Sequence, residues 1–136
     1  MRYRFLEHTA DIKFRAYGKT LNEAFENAGL AFFEVITDTS KVKPLIKKSF
    51  ELKAEDIKSL LYDFLEELLV LHEAGHYLFS RFKVKINRKT HSLKADVWGD
   101  VIKDHEIRNA VKAVTYSEME IIKSPKGVIL QVVLDL

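Results

Sequence analysis

Two aspartates, Asp11 near the start of a 136-residue chain and Asp135 beside its last residue, are the side chains best suited to divalent-cation chemistry. Carboxylates are hard oxygen donors for Mg²⁺, Mn²⁺ or Ca²⁺, and two of them hold such an ion while waters complete its shell. Leu136 follows Asp135, so its α-carboxylate would add a third anion nearby. If the first and last strands are neighbours, the three acids converge. Such a cluster repels itself unless a cation or a basic partner neutralises it. Taken one at a time, the same residues also read as a strand start and a frayed tail. His8, His105 and Lys112 are further polar residues in suggestive places, and spacing alone assigns a role to none of them.

Two other patterns compete. His72-Glu73-Ala74-Gly75-His76 matches the His-Glu-x-x-His arrangement of zinc hydrolases, in which histidines four apart share a helical face and the glutamate activates a zinc-bound water. Gly75 follows the last residue of the apolar stripe, so the helix is expected to end before His76 can align with His72. The imidazoles would then simply lie near the negative end of the helix dipole. The second pattern is a basic stripe, Arg81, Lys83, Lys85, Arg88, Lys89 and Lys94. It suits phosphates or an acidic partner. It also suits the solvated face of an amphipathic hairpin whose lysines protect an edge. No aromatic residue is read as interleaving on that face for base stacking.

The elements that must position these residues follow from periodicity. Tyr3 to Leu6 reads as a short strand, and Ile12, Phe14 and Ala16 alternate with Lys13, Arg15 and Tyr17 as a half-buried one. Gly18-Lys19 turns the chain into Thr20-Leu21-Asn22-Glu23, a capping box that starts a helix carrying Leu21, Ala24, Phe25, Ala28, Phe32 and Val35 at helical spacing. A brief strand is expected at Ser49 to Leu52. A second helix begins near Ala54-Glu55-Asp56, with an apolar stripe through Ile57, Leu60, Leu61, Phe64, Leu68 and Leu71. Period two then returns. Strands over 81–87 and 93–99 form a hairpin around Arg88 to His91, and strands over 113–123 and 128–135 are joined at Ser124-Pro125-Lys126-Gly127. This pattern predicts a single α+β domain over 1–136, two layers deep, with two main helices on one face of a mostly antiparallel sheet.

Composition narrows the function classes. Hydrophobic residues make up 47% of the chain and charged residues 31%, enough for one core. The formal net charge of +2 gives no overall drive toward nucleic acid or membrane. With no cysteine, disulfides, thiolate metal sites and cysteine nucleophiles drop out, which fits a reducing compartment. No signal peptide or membrane-spanning run is read, so a cytoplasmic location is expected.

Four segments, taken together and in order, resemble the archease family. They are Glu7-His8-Thr9-Ala10-Asp11-Ile12, Gly18-Lys19-Thr20-Leu21-Asn22-Glu23-Ala24-Phe25, Val111-Lys112-Ala113-Val114-Thr115-Tyr116 and the ending Val133-Leu134-Asp135-Leu136. The leucine-rich second helix running into His72-Glu73-Ala74 is also family-like. Two positions depart from the pattern: Lys13, where the family often has Gly, and Ser117, where a His is common.

The resemblance implies an accessory protein rather than an enzyme. Such a protein assists the GTP-dependent tRNA-splicing RNA ligase RtcB, promoting its guanylylation and multiple turnover and broadening its nucleotide use. The family's metal site maps onto Asp11, Asp135 and Leu136, with Ca²⁺ in family structures and Mg²⁺ or Mn²⁺ as physiological candidates. His8, His105 and Lys112 become candidates for partner contact or activation. The alternative it leaves is a chaperone-like modulator of other RNA-processing enzymes, such as an RNA methyltransferase. Sequence-specific nucleic-acid binding is not implied.

Overall fold

The computed structural model describes residues 1–7 and 11–136. In chain order the elements are β1 (Tyr3–Leu6), β2 (Ile12–Gly18), α1 (Leu21–Ile36), a 3-10 turn (Thr39–Lys41), β3 (Ile46–Lys53), α2 (Ile57–Gly75), β4 (Tyr77–Asn87), β5 (Ser92–Val101), β6 (Ala113–Ser124) and β7 (Gly127–Asp135). All strand pairs are antiparallel. The strands form two sheets, ordered β1-β2-β7-β6 and β3-β5-β4. Two helices on antiparallel strands is the expected α+β class, while the division into two sheets is a feature that periodicity does not reveal.

The division has a local cause. β4 is an edge strand, and an edge presents amides ready to pair with another strand. Here α1 occupies them with side chains. The Val84 amide donates to Glu26 Oε2 at 2.8 Å and the Ile86 amide to Asn22 Oδ1 at 3.0 Å. A helix therefore closes the ladder where a further strand would extend it. Burial lifts the Glu26 carboxyl above its ordinary range, against the opposing pull of the Val84 amide.

α1 starts as its capping box requires. Thr20 Oγ1 accepts from the Glu23 amide at 3.1 Å, and Glu23 Oε1 reaches back to the Lys19 amide at 3.3 Å, one residue before the Ncap. The helix packs against strands of both sheets, and its small residues permit close approach on several sides. A Cβ on Gly29 would come within 2.9 Å of the Phe82 ring. Phe33 meets Phe79 edge-on at 5.5 Å, and Phe25 meets Phe64 of α2 at 5.6 Å, so one aromatic-rich core joins both helices to both sheets. The β4–β5 register shifts between Phe79 and Arg81, and there the chains run so close that a Cβ on Gly99 would lie 1.8 Å from the Leu78 carbonyl oxygen.

α2 is capped by Asp56, whose side chain accepts from the Ser59 amide at 2.7 Å. It ends at Gly75, and His76 takes the left-handed conformation with φ 57°. Among the described residues, no helix is long and apolar enough to cross a membrane.

Candidate functional site

The register of β2 against β7 decides whether the two aspartates meet. Ile12 pairs with Leu134, so the next residues outward on these adjacent strands are Asp11 and Asp135. On the other side of β7, Ala113 of β6 pairs with Asp135, and the Lys112 amide donates to the Asp135 carbonyl at 2.8 Å. Leu136 packs its side chain against the core. Asp11, Asp135 and Lys112 are thus brought to one end of the four-stranded sheet by main-chain pairing, the most rigid positioning a sheet offers.

The face turned away from the core continues this chemistry. Side chains alternate along a strand, so Lys13 and Arg15 share the outer face with Val133 and Gln131 opposite them. Lys13 Nζ lies 3.1 Å from Glu118 Oε1, and Arg15 Nε donates to Gln131 Oε1 at 2.9 Å. Gln131 Nε2 in turn donates to the Glu118 carbonyl at 2.8 Å. Lys13, the departure from the family pattern, therefore has a carboxylate partner on β6.

Glu118 was not singled out by its sequence, because its position depends on a bulge. Between the Thr115–Val133 and Glu120–Gln131 pairs, Tyr116 to Met119 stand opposite Val132 alone. Glu118 absorbs part of the excess with φ 52°. The same bulge turns Met119 into the core and swings Tyr116 onto Tyr62 of α2, their rings parallel within 7° and 4.3 Å apart. Burial, followed by the Asp63 carboxylate, pushes the Tyr116 hydroxyl above its ordinary value.

His105 is placed elsewhere. It lines a cleft of about 400 Å³ with Thr37, Asp38, Lys41, Asp104 and Glu106, and its Nδ1 accepts from the Lys103 amide at 3.2 Å. The loop that carries it is fastened to the C-terminal end of α1. The Arg108 amide donates to the Ile36 carbonyl at 2.7 Å, Thr37 Oγ1 to the Glu106 carbonyl at 2.6 Å and Asn109 Nδ2 to the Val35 carbonyl at 2.8 Å. These bonds, with the Arg108 guanidinium beside Glu34, satisfy carbonyls and the negative dipole end that α1 leaves without a basic residue of its own. His8 lies outside the described residues.

The zinc-hydrolase pattern does not assemble. His72 sits within α2 with its Nδ1 2.9 Å from the Tyr77 carbonyl and its ring edge-on to Phe33, whereas His76 lies past the helix end. Among the described residues, no group of three or more His, Asp or Glu side chains is disposed to hold a metal ion. What the sheet end does offer is an aspartate on each of two neighbouring strands, one residue beyond the Ile12–Leu134 pair, and carboxylates are donors for hard cations and not for a soft metal.

The sequence matches the Archease protein family (MTH1598/TM1083) over residues 3–136. Proteins named protein archease include one from Sulfurisphaera tokodaii, 46% identical with 99% of each chain covered. Another, from Methanothermobacter thermautotrophicus, is 47% identical with 98% of each covered. The solution structure of protein 1598 from Methanobacterium thermoautotrophicum superposes with a TM-score of 0.88 at 47% identity, covering 99% of both chains. The crystal structure of a Thermotoga maritima protein, described as an archease and possible chaperone, shares the fold at a TM-score of 0.66 and 22% identity, with 96% of this chain and 94% of that one covered.

Proposed function

This chain belongs to the archease family, and on that premise we propose that it is a cytoplasmic accessory protein of the GTP-dependent tRNA-splicing RNA ligase RtcB. It raises ligase guanylylation and multiple turnover and broadens nucleotide use, without catalysing ligation itself. The observation that carries this reading is the strand register that makes Asp11 and Asp135 neighbours. Asp11, Asp135 and the Leu136 α-carboxylate would hold a divalent ion, which supplies positive charge against nucleotide phosphates. The chain's own part is to present those carboxylates from paired strands, so that little ordering is left to occur on docking. Lys112 extends from the same sheet end and is exposed, suited to a phosphate or an acid of the ligase. His105 and His8 are the remaining contact candidates.

The test is RNA ligation under multiple turnover with the cognate ligase. Wild-type protein should stimulate, whereas Asp11→Ala and Asp135→Ala, folded by circular dichroism, should not. A folded double variant that stimulates like wild type would sink the acid mechanism. Absence of stimulation by the wild type would remove the ligase reading itself.

A second reading is a chaperone-like modulator of other RNA-processing enzymes. The stack of Tyr62 on exposed Tyr116 and the exposed Val70 of α2 favour it, as apolar surface available to a client. It predicts partner solubility changes that do not depend on Asp11 or Asp135.

A further inference from the structure

The outer face of the three-stranded sheet is not part of the acid site, and its chemistry is of another kind. Register lays it out in rows across β3, β5 and β4: Lys47–Trp98–Arg81, then Ser49–Asp96–Lys83, then Glu51–Lys94–Lys85. With Lys53 at the far end, the face holds six cations against two carboxylates. That surplus of four exceeds the whole chain's +2, so the rest of the chain is net acidic by two. The helices pack on the opposite side of this sheet, where Phe50 and Phe82 point into the core.

Trp98 lies in the first row with its indole accompanied by two cations. The Arg81 guanidinium carbon is 4.9 Å from the ring centroid and Lys47 Nζ is 5.6 Å away. Both cationic residues are exposed, so they can leave the ring for phosphates and open its face to a base. Beyond the tryptophan, a shallow groove of about 300 Å³ runs between Lys83, Lys85 and Lys94 on one side and Ser49 and Glu51 on the other. In its middle row Asp96 accepts from the Ser49 hydroxyl at 2.6 Å and keeps further acceptor positions.

An aromatic platform set among lysines is how proteins hold single-stranded nucleic acid without reading its sequence, the base stacking while the cations track the backbone. An acidic protein segment would use the cations but not the indole. A carboxylate in the track accepts from a hydroxyl that RNA carries and DNA lacks. We infer that this face, with Trp98 as its stacking platform and Arg81, Lys83, Lys85 and Lys94 along the backbone, binds single-stranded RNA. The inference rests on the chemistry of this face and not on the ligase reading.

Trp98 is the only tryptophan, so its fluorescence reports on the proposed contact directly. A labelled single-stranded RNA of about 12 nucleotides, within the usual site size, would be titrated at low and physiological salt, following anisotropy and tryptophan emission together. Binding should quench the emission and weaken with salt. Trp98→Ala should lose about tenfold to a hundredfold in affinity and Trp98→Phe much less, since a phenyl ring still stacks. Replacing Lys83 and Lys85 by Ser should lower the salt slope by about 0.7 for each cation removed. Should Trp98→Ala fail to fold, the Phe and lysine variants carry the test. Absence of both signals overturns the proposal. So does equal, Trp98-independent binding of polyglutamate, which would assign the face to an acidic protein. Equal affinity for DNA of the same sequence overturns the assignment to RNA. Loss of RNA binding with ligase stimulation intact separates this face from the acid pair.

Discussion

The two sheets turn similar antiparallel faces away from the core and arm them differently. On the four-stranded sheet, two of the cations are answered locally, Lys13 by the Glu118 carboxylate on β6 and Arg15 by the neutral Gln131 amide on β7, while Arg4 of β1 stands opposite Arg15. On the three-stranded sheet, six cations share two carboxylates, and a cross-strand ion pair among the described residues, Lys94 with Glu51, is about three-quarters exposed on both sides at 3.5 Å. Pairing satisfies a surface from within, whereas surplus leaves its charges to be satisfied by a partner. A net charge of +2 averages over this contrast and conceals it. What a small protein binds is decided by which charges the strand register sets side by side.

The comparison is broken most severely at Gly99. A methyl group there must displace the Leu78 carbonyl, so Gly99→Ala should cost about 3 kcal/mol, read by urea unfolding. If the cost is small, the close β4–β5 crossing that lines up Trp98 with Arg81 is not as rigid as described. Next is the closure of β4. Glu26→Ala leaves the Val84 amide without its acceptor and should cost about 2 kcal/mol. Glu26→Gln keeps an acceptor and removes the charge. Because burial raises the Glu26 carboxyl in the folded state, the folded chain binds that proton more tightly than the unfolded chain. Its contribution to stability is complete below the ordinary glutamate value and is lost as pH rises through the raised one. Wild-type stability should therefore decline over that window relative to Glu26→Gln. A parallel pair of pH profiles would place the raised carboxyl elsewhere. The smallest effect sharpens the contrast itself. A double-mutant cycle on Lys13 and Glu118 should give about 0.5 kcal/mol and one on Lys94 and Glu51 about zero, since the first lysine is largely covered and the second is not.

Local pattern made much of this fold readable. The alternation from Ile12, the capping box at Thr20 and the turn at Ser124–Gly127 each specify their element through short-range physics. The failures lie where long-range pairing decides. β3 extends back to Ile46, beyond the strand expected at Ser49 to Leu52, because Lys47 and Lys48 pair with Trp98 and Val97. β4 begins at Tyr77 and not near Phe82, since the irregularity between Phe79 and Arg81 interrupts its period. Trp98 corrects the reading that set no aromatic residue among the cations of the basic stripe, because its place between Lys47 and Arg81 needed the register of two neighbouring strands. The acid pair was read from an assumed meeting of the first and last strands, whereas β2 stands between β1 and β7, and it is β2 that runs beside β7 up to the Ile12–Leu134 pair. Glu118 was out of reach, because no short-range signal announces a bulge of that size.

α1 packs against strands of both sheets, buries most of its length and closes an edge of one of them. A wall shared in this way couples its two rooms. Neither sheet can open while the helix stays packed, so amide protons in the middle of α1 should exchange with solvent only through complete unfolding of the chain. Heat or denaturant would then remove the acid pair and the tryptophan face in one transition, and a variant that weakens either sheet would shorten the lifetime of both.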